Sequence, residues 1–152
     1  MWIVVPLGRL VLRFHLLLPV VVGAICMVPG DLWLRYLLLL STLLLHELAH
    51  ALTALGLGRG RAKVSLWPLF GRADVETFRD RRAALVALSA PALNLVCAGA
   101  LFLLGGRPTL ALGSAPLLDL IQTAHLLMGV FNLLPLPRVD GGRALVALRS
   151  RV

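Results

Sequence analysis

Charge is the scarcest commodity in this chain. Asp, Glu, Lys and Arg make up 14% of the 152 residues, and 59% of the residues are hydrophobic. Soluble domains carry about 25% charged and roughly 45–50% apolar residues, so a soluble globular domain is excluded. Only two cysteines are present, Cys26 and Cys97, far apart in apolar segments. They give no disulfide framework and read as small buried hydrophobes. Aromatics are few, at 6%, and do not interleave with basic residues, so the net charge of +8 does not point to nucleic acid. Four histidines are too few for a membrane di-iron oxidase. Repeats, linkers and a second domain are also lacking.

What remains is a set of long apolar runs with basic flanks, the composition of a polytopic membrane protein. The expected fold is all-α with about four transmembrane helices in one domain covering residues 1–152. The spans read as residues 14–28, 32–57, 83–104 and 116–134. Arg9 and Arg13 before the first run imitate a signal peptide, but no small-x-small cleavage site follows cleanly, so an uncleaved span is expected. Residues 61–78 read differently. Lys63-Val64-Ser65-Leu66-Trp67 and Arg72-Ala73-Asp74-Val75-Glu76 alternate polar and apolar side chains around Pro68-Leu69-Phe70-Gly71. A β-hairpin insertion able to accept a peptide strand and an ordinary basic loop both stay open here. A short amphipathic piece is expected from Gly142 onward.

Orientation follows from the basic residues. With the N-terminus cytoplasmic, 13 of the 15 Lys and Arg residues fall inside, and only Arg35 and Arg107 fall outside. The positive-inside rule is met by this topology and broken by its inverse, so both termini are expected in the cytoplasm.

Within the second run stands His46-Glu47-Leu48-Ala49-His50. Residues four apart share one helix face, so the two imidazoles converge on one spot. That pairing suits Zn²⁺, with Glu47 as general base to a metal-bound water. Ionisable groups among leucines are costly and mark function. From His50 to Arg59 is nine residues, about 14 Å of helix, which places the metal below the cytoplasmic surface. A further ligand is needed. His15 and His125 read better as satisfied interhelical histidines. Asp140 reads as the ligand: Pro135 and Pro137 break the helix before it, and Gly141-Gly142 permits tight backbone after it. Broken backbone at membrane depth is tolerated where it lines a cavity.

These elements together resemble the site-2 protease family of intramembrane zinc metalloproteases. His46 to His50 matches the family's HExxH. Ser89-Ala90-Pro91-Ala92-Leu93-Asn94 is similar to its middle-span small-Pro-x-x-Asn element, and Asn132 to Gly141 matches its N-x-x-P-x-P-x-x-D-G element. The resemblance covers about residues 32–142. It implies one zinc per chain on His46, His50 and Asp140, with Glu47 activating water. It implies that Asn132 and Asn94 hold the substrate strand or the developing oxyanion. The Trp67–Gly71 segment resembles the family's membrane-associated strands, with Gly71-Arg72 in place of the usual Gly-Gly. PDZ and CBS domains do not fit in this length, so the chain is similar to the compact branch.

The implied activity is hydrolysis in or beside a membrane helix that first unwinds to a strand. Single-span membrane proteins in the bilayer of a bacterial-type plasma membrane would be the substrates, as in regulated intramembrane proteolysis. The rivals are a membrane metal transporter on the same ligands and a catalytically inactive binding relative. The outer halves of the spans lack the polar path a transporter needs, and Glu47 is retained, which disfavours an inactive relative.

Overall fold

The leucine-rich run around the two histidines is one uninterrupted helix, and the rest of the chain is arranged along it. The computed structural model describes residues 1–75, 78, 80–111 and 113–149. In chain order the elements are β1 (Trp2–Leu7), β2 (Leu10–His15), α1 (Leu17–Cys26), α2 (Leu32–Gly56), β3 (Ala62–Leu66), β4 (Gly71–Val75), α3 (Arg82–Leu103), α4 (Leu117–Leu133) and α5 (Asp140–Arg149).

The N-terminal third differs from the expected first span. Residues 14–28 are not one helix: Phe14 and His15 end strand β2, and α1 has ten residues. That is about 15 Å of helix, half of a hydrocarbon core about 30 Å thick. The physical reason is a partner distant in sequence. Ile3-Val4-Val5 and Val11 are β-branched and favour a pleated surface. Gly8, with φ of 65°, makes the two-residue turn that pairs β1 with β2. Strand β2 then runs parallel to β3, with Leu10 opposite Ala62 and Phe14 opposite Leu66. The result is one four-stranded sheet in the order β1-β2-β3-β4, larger than the hairpin expected for residues 61–78. The antiparallel β3–β4 pair itself is present, with Val64 opposite Ala73. Glu76, the last residue of the alternating stretch, lies outside the described residues.

The sheet lies against α2. Ala62, Val64 and Leu66 pack on Ala51 and on Leu43, Leu44, Leu48 and Leu55. At the far end, the Tyr36 hydroxyl donates to the Pro68 carbonyl at 2.8 Å. At the near end, the Ala62 N–H donates to the Arg9 carbonyl, and Arg9 Nε donates to the Gly60 carbonyl. Leu10, Leu12 and Phe14 of β2 and Leu18 of α1 pack against the same cluster.

Helices α2 and α3 are long and apolar enough to cross a membrane; α1 and α4, with 10 and 17 residues, are shorter. Of the four expected spans, α2 and α3 meet that length on their own. Their surfaces are inverted relative to a soluble protein. Thr42, His46, His50 and Ala54 form a buried stripe on α2, while Leu39, Leu45 and Leu52 face outward. Leu85, Val96 and Phe102 do the same on α3. Such apolar surface aggregates in water and is natural in hydrocarbon. Cys26 is exposed at the end of α1 and Cys97 half-buried, so neither is the fully buried hydrophobe expected; both are free thiols.

Glycine and alanine set the remaining packing. A Cβ on Gly129 would lie 2.8 Å from Leu95 Cδ2 and 3.2 Å from the Pro91 carbonyl. Helix α4 can approach α3 closely only because that position has no side chain. The amphipathic piece expected from Gly142 is α5. It rests on α3 through Ala84, Ala87, Ala144 and Ala147.

Candidate metal centre

The structure brings His46, His50 and Asp140 to one point. Each offers one ligand atom, and these atoms all lie within 4.8 Å of one another. Asp140 Oδ2 is 3.1 Å from His46 Nε2 and 3.1 Å from His50 Nε2. Donors bound at about 2.0–2.1 Å to a tetrahedral zinc stand about 3.3 Å apart, so the spacing fits that ion. All three residues are buried. Among the described residues no other group of three His, Cys, Asp or Glu side chains has this geometry.

Asp140 arrives through the broken backbone that the prolines predict. Helix α4 ends at Leu133, and Asp140 opens α5. Between them Arg138 takes a left-handed conformation with φ of 77°. A Cβ on Gly141 would stand 2.3 Å from the Leu133 carbonyl oxygen, and one on Gly142 2.0 Å from that of Leu136. Both glycines are therefore steric requirements of the turn that presents the carboxylate.

The ligand imidazoles are held from behind. His50 Nδ1 lies 2.8 Å from the Val86 carbonyl. An N–H there leaves Nε2 bare toward the metal, the usual outer-shell arrangement for a ligating histidine. His46 Nδ1 lies 3.0 Å from the Asn94 amide nitrogen, and His125 Nδ1 lies 3.2 Å from the Asn94 amide oxygen.

Asn94 thus differs from the expectation that it holds substrate or an oxyanion. It is 0% exposed, and both its amide atoms are engaged by histidines. It does not line the cleft. The sequence gives the spacing of Asn94 but not the direction of its amide, which faces the back of His46.

In front of the ligands lies a cleft of about 790 Å³. Its walls include His46, Glu47, His50 and Asp140, the whole of β4 from Gly71 to Val75, and Asn132, Arg138 and Arg143. Glu47 is 9% exposed and lies beside the Ala73 backbone. Gly71 touches it: a Cβ there would meet Glu47 Cγ at 2.7 Å. That contact was not foreseen; the signal for it was a glycine standing alone where two were expected. Asn132 lines the cleft. One of its amide hydrogens is spent on the Met128 carbonyl at 3.0 Å, leaving the other and Oδ1 for a ligand. Arg143 stands 3.6 Å from Asp140. His15 is remote from the cleft and not interhelical. It ends β2, stacks edge-on with Trp2, and accepts from the Leu17 N–H.

No family model matches the chain. Individual relatives do. The chain is 28% identical over 141 residues to the zinc metalloprotease MJ0392 of Methanocaldococcus jannaschii, covering 92% of this chain and 42% of that one. It is 38% identical over 115 residues to Rip3 of Mycobacterium tuberculosis, covering 70% of this chain and 28% of that one. It is 31% identical over 114 residues to sll0528 of Synechocystis sp., covering 74% and 30%. Both of the latter carry zinc-metalloprotease names. The chain thus spans less than half the length of these curated relatives. Among solved structures it superimposes on the site-2 protease from Methanocaldococcus jannaschii with a TM-score of 0.72 and 25% identity. That match covers 97% of this chain and 71% of that one. The ligand geometry, the fold and these likenesses agree: the chain is similar to the site-2 protease family of zinc metalloproteases.

Proposed function

We propose that this chain is a zinc-dependent endopeptidase that cleaves single-span membrane proteins in or beside their transmembrane segment, as in regulated intramembrane proteolysis. The observation that carries the reading is the position of Glu47. It stands at the wall of the cleft beside three ligands without itself belonging to the ligand set. Zinc bound by His46, His50 and Asp140 would supply Lewis acidity and a water of lowered pKa. Glu47 would serve there as the general base and then as the proton donor to the leaving amine. The Gly71 contact fixes where the carboxylate can stand for that transfer. Asn132 is in reach of the same cleft and serves the substrate with its free amide hydrogen and oxygen.

Strand β4 is the edge of the sheet and lies along the cleft. A substrate segment unwound to an extended strand would pair with that edge and pass its carbonyls across the ligands. A helical substrate must unwind first, because its carbonyls are already bonded within the helix.

The bilayer would be crossed by α2, α3, α4 and the composite of β2 and α1, with both termini on the cytoplasmic side. Six residues of strand at about 3.3 Å and ten of helix at about 1.5 Å reach about 35 Å, enough for a core of about 30 Å. The two outer basic residues are satisfied locally. Arg35 pairs with Asp31 at 2.8 Å, and Arg107 donates to the Phe102 and Gly106 carbonyls.

The test is reconstitution in vesicles with a panel of single-span substrates, before and after zinc is stripped and restored. Zinc-restored cleavage next to or within the span supports the reading. Zinc flux across the vesicles with no cleavage of any substrate would favour a transporter and sink it.

A further inference from the structure

His125, which contributes nothing to the cleft wall, stands at the end of a buried chain that reaches a metal ligand. Its Nδ1 is 3.2 Å from Asn94 Oδ1, and Asn94 Nδ2 is 3.0 Å from His46 Nδ1. The three residues come from α4, α3 and α2 and are 2%, 0% and 5% exposed. Gly129, one turn after His125, permits the close approach of α4 to α3 that makes the first of these contacts.

We propose that His125 is a positioning residue for the metal site: it sets which way the Asn94 amide faces, and through it the tautomer and orientation of His46. The inference rests on the zinc reading above. A His46 that ligates through Nε2 must carry its proton on Nδ1. That N–H needs an acceptor, and among the described residues Asn94 is the side chain within hydrogen-bond distance of it. Only the amide oxygen accepts. The two ends of an amide have nearly the same shape, and which end faces His46 is decided by the hydrogen-bond network. With the oxygen toward His46, the amide nitrogen faces His125 Nδ1. A buried N–H without an acceptor costs about 1–3 kcal/mol, so this orientation needs a bare Nδ1 on His125. A neutral imidazole holding its proton on Nε2 supplies it. The arrangement is then complete: Asn94 donates to His125 and accepts from His46. Without an acceptor at His125, this orientation leaves the buried amide nitrogen unpartnered, and the bond that fixes His46 weakens.

Zinc affinity, measured by chelator competition in detergent, is the readout, and it does not depend on catalysis. Outer-shell partners of metal ligands are typically worth about 10–100-fold in affinity, so His125→Leu is expected to weaken zinc binding by about tenfold. His125→Asn should restore most of it, because Asn Oδ1 occupies nearly the place of His Nδ1 and accepts the same bond. In an Asn94→Leu background, His125→Leu should change affinity little further, since the link is already cut. Wild-type affinity in His125→Leu, or equal losses from His125→Leu and His125→Asn, would overturn the proposal. A measurement on the unmutated protein guards against misfolding of the variants. Nitrogen-15 spectra of the zinc-loaded chain should show His46 protonated at Nδ1 and His125 at Nε2. A proton on His125 Nδ1 in that state would also overturn it. Failure of the wild-type chain to bind zinc at all would instead defeat the reading on which the inference rests.

Discussion

Replacing Gly71 by alanine separates the placement of the base from the binding of the metal. The new Cβ would meet Glu47 Cγ at 2.7 Å, Glu47 Oε1 at 3.3 Å and Leu66 Cδ2 at 3.0 Å. Carbon atoms rest at about 3.5–4.0 Å, so something must yield by about 1 Å. Strand β4 is held on its other side by β3, and Leu66 is packed in the core. The Glu47 side chain is therefore the part that moves. A 1 Å misplacement of a reacting group costs up to about 10²-fold in rate, equivalent to about 2.7 kcal/mol of barrier. His46, His50 and Asp140 are not among the atoms that the added Cβ meets. The assay pairs zinc content by elemental analysis with the cleavage rate of one single-span substrate in detergent. The expected outcome is full zinc with a rate lower by about 10²-fold. Cleavage at the wild-type rate would show that the Gly71 contact does not position the base. Loss of zinc would show that the cleft wall and the ligands are one unit.

Three further outcomes follow from the same geometry. His46→Ala, His50→Ala and Asp140→Ala should each sharply reduce zinc, because three protein ligands plus water is the usual catalytic set; full occupancy in Asp140→Ala would remove it from the ligands. Gly142→Ala drives a Cβ into the backbone carbonyl of Leu136. It should destabilise the chain by about 1–3 kcal/mol and weaken zinc binding through Asp140, and unchanged thermal stability would contradict the turn geometry. Reporter fusions within residues 105–112 and after residue 152 should report opposite sides of the membrane, following the 13-to-2 division of basic residues. An external C-terminus would reverse the orientation.

Some of this was legible in the sequence, for physical reasons that also mark where legibility stops. Two histidines four apart on an unbroken apolar helix leave little freedom, so their convergence is local geometry. Asp140 was readable because prolines and paired glycines announce broken backbone, and an acid placed there needs a purpose. The N-terminal strands were not readable. Residues 10–28 form a nearly continuous apolar stretch, and periodicity does not separate a short buried strand from a helix. What decides the matter is β3, about fifty residues away, which β2 pairs with in parallel. Asn94 was placed on the right helix, but the side chains its amide meets were not readable. A side-chain amide faces whatever the packing of three helices brings to it, and that packing depends on Gly129 and Leu95 rather than on the motif itself. His125 was recognised as a buried interhelical residue, but its connection to His46 exists only in three dimensions.

The most direct test of the central claim is Glu47→Gln, compared with the unmutated chain for zinc content and for cleavage of the same substrate. The substitution nearly preserves size and shape, and Glu47 is not a ligand, so zinc and folding should be retained. The glutamine cannot accept the proton of the attacking water, so cleavage should fall by at least the roughly 10²–10⁴-fold typical of removing a general base. Undiminished cleavage by Glu47→Gln, with zinc still bound, would contradict the account.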